Sequence, residues 1–192
     1  MTVPAKKKQL ISTGRDLFWQ FGIRKVTIEE ICKKSNVSKM TYYKYFQNKN
    51  ELVIAILDQI YDEGMKDYRT IMAESIPFTQ KVEKQIQLKM NQTQQLSHAF
   101  LTDLHSNDHD EIVVYFQQMK KRVVQLVLED YQAAQLRGDI RQNIKPEFIL
   151  FFLNHLYELA ENAALRSMYH SPQDLIIELV QFFFYGILPH KE

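Results

Sequence analysis

The stretch VTIEEICKKSNVSKMTYYKYFQNKNEL, residues 26–52, decides the fold. Thr27 stands three residues before Glu30, the spacing of a capping box, and Val26 and Ile31 flank it as a hydrophobic staple, so a helix begins at 27. That helix stops at Ser35-Asn36, because asparagine tolerates the left-handed conformation that a tight turn between helices demands. Ser38 caps the next helix only a few residues on. Two helices joined by so short a turn read as a helix-turn-helix, a motif whose second helix enters the major groove of DNA.

Upstream, Leu10, Ile11, Leu17, Phe18 and Phe21 share one face at helical spacing, and Gly22 ends that helix. Downstream, Asn48 and Glu51 form another cap pair ahead of LVIAILDQIY. Helical spacing then continues through KVEKQIQLKMNQTQQLSHAFLTDL and DEIVVYFQQMKKRVVQLVLEDYQAAQLRG, with no strand-like alternation. Gly138 and Pro146 break the pattern, PEFILFFLNHLYELAENAALRSMY reopens it with proline at the first helical position, and SPQDLIIELVQFFFYGIL closes it behind a Ser171 cap, Pro172 and Asp174. The expected architecture is all-α: a three-helix DNA-binding domain over residues 1–50, then a helical regulatory domain over 51–192 for ligand binding and dimerisation.

Charge divides along the same line. Residues 1–50 carry eleven Lys or Arg against three acids, a balance of +8, and the rest balances at −7, leaving +1 for the 192-residue chain. Such asymmetry points to a polyanion-binding module joined to something that is not one. The single cysteine excludes an intrachain disulfide, and no apolar run approaches the eighteen residues that suggest a membrane span. MTVPAKKKQL lacks the apolar stretch of a signal peptide, so the expected location is the cytoplasm.

LISTGRDLFWQFG followed by residues 26–52 resembles the tetracycline-repressor (TetR) family of bacterial transcription regulators, whose pattern runs Ile-Ala…Gly-Val-Ser…Tyr-x-x-Phe-x-x-Lys-x-x-Leu. The chain departs from it with Cys32 in place of alanine, Asn36 in place of glycine, Met40 where a small residue is common and Tyr42 where leucine is common. The last two bear on base preference, and Cys32 reads as a small packed residue. The resemblance implies that Lys39, Met40 and Tyr43 face base edges. Thr27, Thr41, Lys44, Tyr45 and Lys49 then hold phosphates, Ser38 joins the DNA-facing set, and Lys6 to Lys8 reach the flanking backbone. Val37 and Phe46 belong to the small domain's core. Chemistry agrees without the likeness: residues 35–49 hold three lysines, three tyrosines and no acid, so cations displace phosphate counterions while hydroxyls and rings lie on backbone and bases.

One such domain makes too few base contacts, so a homodimer reading a palindromic double-stranded operator is expected. The last two helices are apolar around their circumference, Leu153, Phe182 and Phe184 among them. By the resemblance they form the interface, with Tyr157, Leu179, Phe183 and Gly186 within it. A cavity between about residues 75 and 170 is expected to take a small-molecule effector that releases repression, with Phe100, Leu104, Phe116, Met119, Phe151, His155 and Leu159 as candidate lining. His105, Asp108, His109 and Asp110 crowd together in DLHSNDHDE, but Asn107 or Asp108 is a natural helix cap, and no metal is expected. No phosphate loop, nucleophile elbow or zinc motif invites catalysis, so neither catalytic residues nor a cofactor are expected. The alternative is a constitutive DNA-binding or architectural helical protein without a ligand.

Overall fold

A computed structural model describes residues 4–93, 97–104 and 110–188. In chain order the helices are α1 (Ala5–Phe21), α2 (Ile28–Lys34), α3 (Lys39–Tyr43), α4 (Lys49–Ala73), α5 (Phe78–Thr93), α6 (His98–Asp103), α7 (Asp110–Leu136), α8 (Pro146–Glu161), α9 (Ala163–Arg166) and α10 (Pro172–Ile187). Among the described residues there is no strand, and no helix is long and apolar enough to cross a membrane.

The caps sit where the sequence puts them. Thr27 Oγ1 accepts the Glu30 N–H at 3.2 Å while Glu30 Oε2 accepts the Thr27 N–H at 2.7 Å, closing a full capping box on α2. Ser171 and Asp174 close another on α10. At α4 the box is offset by one residue. Asn48 Oδ1 accepts the Glu51 N–H as expected, but the Glu51 carboxylate reaches back to the amide of Gln47. Asn36 has φ +52, the left-handed conformation the turn requires, and Gly22 has φ +86. PEFILFFLNHLYELAENAALRSMY is not one helix. Asn162 turns extended and its Oδ1 accepts the N–H groups of Ala164 and Leu165, so the side chain that caps α9 also ends α8.

The chain forms two compact units, Met1–Glu63 with Gln95–Gln117, and Gly64–Gln94 with Gln118–Glu192. A boundary at residue 50 is not where compactness changes, because α4 continues thirteen residues beyond it within the first unit and α6 packs there as well. In that unit Leu10, Phe18, Ile23, Ile31, Tyr42, Leu52, Ile56 and Ile112 are fully buried, each contributing about 1.5–3 kcal/mol of transfer free energy. Gly14 lets α1 lie close against α4: a Cβ there would stand 3.1 Å from both Leu52 and Ile56 side chains. In the second unit Phe78, Val82 and Ile86 of α5 close on Leu128 and Tyr131 of α7, Ile149 of α8, and Val180, Phe183, Phe184 and Ile187 of α10. The rings of Phe152 and Phe183 stack at 5.3 Å.

Candidate nucleic-acid interface

α3 is only five residues long, so it stands because its neighbours hold it. Ser38 Oγ accepts the Thr41 N–H at 3.2 Å and lies 3.0 Å from Thr41 Oγ1, while Tyr42 drives inward. Tyr42 is fully buried against Phe46, and its hydroxyl donates to the Asn48 carbonyl at 3.0 Å, pinning α3 to the start of α4. Tyr42 is thus a core residue with no role at the bases, since a side chain with no exposed surface meets no groove. Val37 and Phe46 are buried beside it as expected.

With Tyr42 inward, its neighbours face solvent. Met40 is 76% exposed and Tyr43 54%, and Lys39 and Lys44 are exposed, with Thr41 and Tyr45 half-buried. The Lys39 ammonium pairs with the Glu29 carboxylate, and that hydrogen bond holds the lysine above its usual range, so it carries full charge. Ser38 is exposed, but its hydroxyl is engaged by the cap. Thr27 is exposed at the start of α2. Lys6 and Lys8 are exposed on α1, and Lys7 Nζ lies 5.4 Å from the centre of the Phe46 ring. Met40, Tyr43, Lys39 and Lys44 therefore stand out from one short helix flanked by the Thr27 cap and the lysines of α1, as direct base contact and phosphate clamping require.

Lys49 does not join them. Its Nζ donates to the carbonyls of Ile23 at 2.8 Å and Val26 at 3.0 Å, and burial lowers its pKa. An ammonium spent on the α1–α2 turn is a clamp inside the unit, which corrects the expectation of a phosphate contact. Cys32 is buried and burial pushes its thiol up, in keeping with a packing role.

The expected effector residues are not brought together within either unit. Phe100, Leu104 and Phe116 belong to the first unit, the first two buried, and Met119, Phe151, His155 and Leu159 belong to the second. Phe151 is 60% exposed and stacks on the half-buried His155 at 4.1 Å, while His155 Nδ1 lies 2.7 Å from the Phe151 carbonyl, so Phe151 presents its ring to solvent and not to an enclosed cavity of its own unit. A groove of about 530 Å3 does lie beside α1 and α2, but Leu17, Phe21, Lys25, Val26, Glu30, Lys33 and Lys34 line it and no expected effector residue does. His105, Asp108 and His109 lie outside the described residues, as does the side chain of Asp110.

Of the expected interface residues, Phe183 is instead core, held between Tyr131 and Phe152 and buried by its own chain. Leu179 is half-buried, Gly186 is exposed with open space around it, and the side chain of Tyr157 lies outside the described residues. Phe184 is buried too. Among the described residues of α8 and α10, the rings left uncovered are Phe148, Phe151, Phe182 and Tyr185, each more than half exposed. Their spacing of three along each helix gives two apolar stripes, a signal legible in the sequence once the inward rings are known.

Residues 10–56 match the sequence model of the family described as bacterial regulatory proteins, tetR family. The chain is 24% identical over 189 residues to the uncharacterized HTH-type transcriptional regulator YdgC of Bacillus subtilis (strain 168), covering 95% of this chain and 93% of that protein. It is 34% identical over 88 residues to the HTH-type transcriptional regulator RutR of Escherichia coli (strain K12), 46% of this chain and 41% of that one. Among solved structures, the fatty acid degradation regulator FadR from Bacillus halodurans shares the fold with a TM-score of 0.76 at 18% identity over 100% of both chains. The regulatory protein TetR from Rhodobacter sphaeroides does so with a TM-score of 0.75 at 15% identity, over 96% of this chain and 100% of that one.

Proposed function

We propose that this chain, whose residues 10–56 match the sequence model of the tetR family, is a homodimeric repressor of transcription that reads a two-fold symmetric operator and is released by a small molecule. Residues 1–50 read the DNA, residues 51–192 carry regulation and pairing, and the protein works in the cytoplasm. The observation that carries the reading is α3 itself: Tyr42 is anchored in the core so that Met40, Tyr43, Lys39 and Lys44 stand out in solvent. Base edges are met by Lys39, Met40 and Tyr43, and phosphates by Thr27, Thr41, Lys44 and Tyr45.

Pairing is supported by the four exposed rings of α8 and α10, since exposed aromatic side chains in such number mark an interaction surface. Two half-sites one helical turn apart then multiply the few contacts each α3 makes. Release follows if the effector binds better to a conformation that does not fit the operator.

Selection from random duplexes tests the reading. The expected winners share a two-fold symmetric site, and affinity falls with salt at the slope of several phosphate contacts. A pure chain that binds no duplex at low ionic strength overturns it. An operator affinity unmoved by every apolar or cationic compound tried favours constitutive binding instead.

A further inference from the structure

We propose that Asp103, the last residue of α6, is a positioning residue for DNA binding: its carboxylate holds the α1–α2 turn in the shape that sets Thr27 and α2 against the operator. The inference rests on the DNA-binding reading above and adds α6, far outside the matched residues, to the reading head.

Asp103 is 7% exposed, a charged residue buried almost as deeply as the apolar core around it. Its Oδ2 accepts the backbone N–H of Arg24 at 2.9 Å, across 79 residues of sequence, and its Oδ1 lies 3.4 Å from Arg24 Nε. The turn is moulded around it. Gly22 has φ +86, and a Cβ there would fall 2.7 Å from Asp103 Oδ2, so the chain passes close to the carboxylate only because residue 22 has no side chain. The other end of α6 is fixed too, the Ser97 N–H donating to the Trp19 carbonyl at 3.0 Å.

Lys49 supplies the opposite half of the grip. Asp103 takes an N–H of the turn, whereas Lys49 Nζ takes the carbonyls of Ile23 and Val26. The turn between α1 and α2 is thus held by charged groups from two other helices, and it ends at Thr27, whose capping box starts α2. A binding surface is only as well placed as the side chains and backbone that support it.

Simple electrostatics and positioning predict opposite signs, which makes the role testable. An acid in a DNA-binding head opposes DNA, so neutralising it tightens binding if charge alone matters. If Asp103 positions the turn, removing its charge weakens binding. The experiment uses the full chain and its selected operator, with Asp103→Asn, Asp103→Glu and, as a control, exposed Asp16→Asn. Affinities are read at one fixed salt concentration and folding by thermal unfolding. Both Asp103 variants are expected to lose about fivefold or more in affinity, Asn because its neutral oxygen makes only an ordinary hydrogen bond to the Arg24 N–H and Glu because its carboxylate overreaches, while the control binds as well as the parent or better. Asp103→Glu keeps the charge and spoils only the reach, so its loss separates position from charge.

Equal or tighter binding by Asp103→Asn overturns the proposal. Hydrogen exchange on the unmodified chain guards against variants that do not fold: the Arg24 amide is expected to be protected, and rapid exchange there overturns the grip. A parent chain that binds no duplex defeats the DNA-binding reading, and this role with it. A parent that binds alongside an equally tight Asp103→Asn defeats only this role.

Discussion

Tyr42 and Tyr43 are adjacent and have opposite fates, one fully buried with its hydroxyl on the Asn48 carbonyl and the other 54% exposed. In a five-residue helix there is too little periodicity for sequence to say which ring turns in, so the cationic, acid-free composition of residues 35–49 is legible while the division among its rings is not. Tyr42→Phe is expected to cost about 1 kcal/mol of stability, the net value of one hydrogen bond, as read by urea unfolding. Tyr43→Ala is expected to leave stability within about 0.5 kcal/mol and to weaken operator binding. Burial pushes the Tyr42 hydroxyl well above its ordinary value of 10.0, and that of Tyr131 likewise. Folding therefore favours the neutral phenols. Their contribution is whole below the unfolded-state value and declines as pH climbs past about 10, so unfolding midpoints are expected to fall there while ultraviolet titration shows the two rings ionising only with unfolding. The resemblance implies a phosphate contact at Lys49, but the carbonyls that take its ammonium lie more than twenty residues away in sequence and no local pattern announces them. Lys49→Met is expected to destabilise the fold by about 1–2 kcal/mol, because the carbonyls of Ile23 and Val26 lose their donor.

At the scale of elements, local chemistry was the most legible. Capping boxes at Thr27 and Ser171, proline at the first position of α8 and α10, and left-handed Asn36 all follow from side chains within a few residues of one another. What could not be read depends on distance. α6 has six residues and a plain Ser97 cap, and its place is set by Asp103 meeting Arg24 far away in sequence. The break at Asn162 competes with a strongly apolar helical pattern on its amino-terminal side, and the cap wins only once the α9 amides are in reach. Ser171→Ala is expected to lower stability by about 1 kcal/mol through the loss of the α10 cap, measured as a shift in the urea midpoint at unchanged slope.

For the molecule as a whole, the all-helical plan and the helix-turn-helix are legible in the sequence, and the division of the aromatic residues of α8 and α10 between core and surface is not. Aromatic residues crowd α8 and α10, but Phe183 and Phe184 serve the unit's own core while Phe148, Phe151, Phe182 and Tyr185 remain outside it. Phe182 is 71% exposed, so Phe182→Glu is expected to leave the fold intact and produce a single-chain species in sedimentation. Operator affinity is then expected to drop by at least about a hundredfold, the loss of joining two weak sites into one. If the four uncovered rings pair two copies of the chain, as proposed, they also make abundance a signal. If two copies must meet before either is useful, promoter occupancy at low expression climbs with the square of the number of copies in the cell, and a modest change in synthesis becomes a sharp change in output.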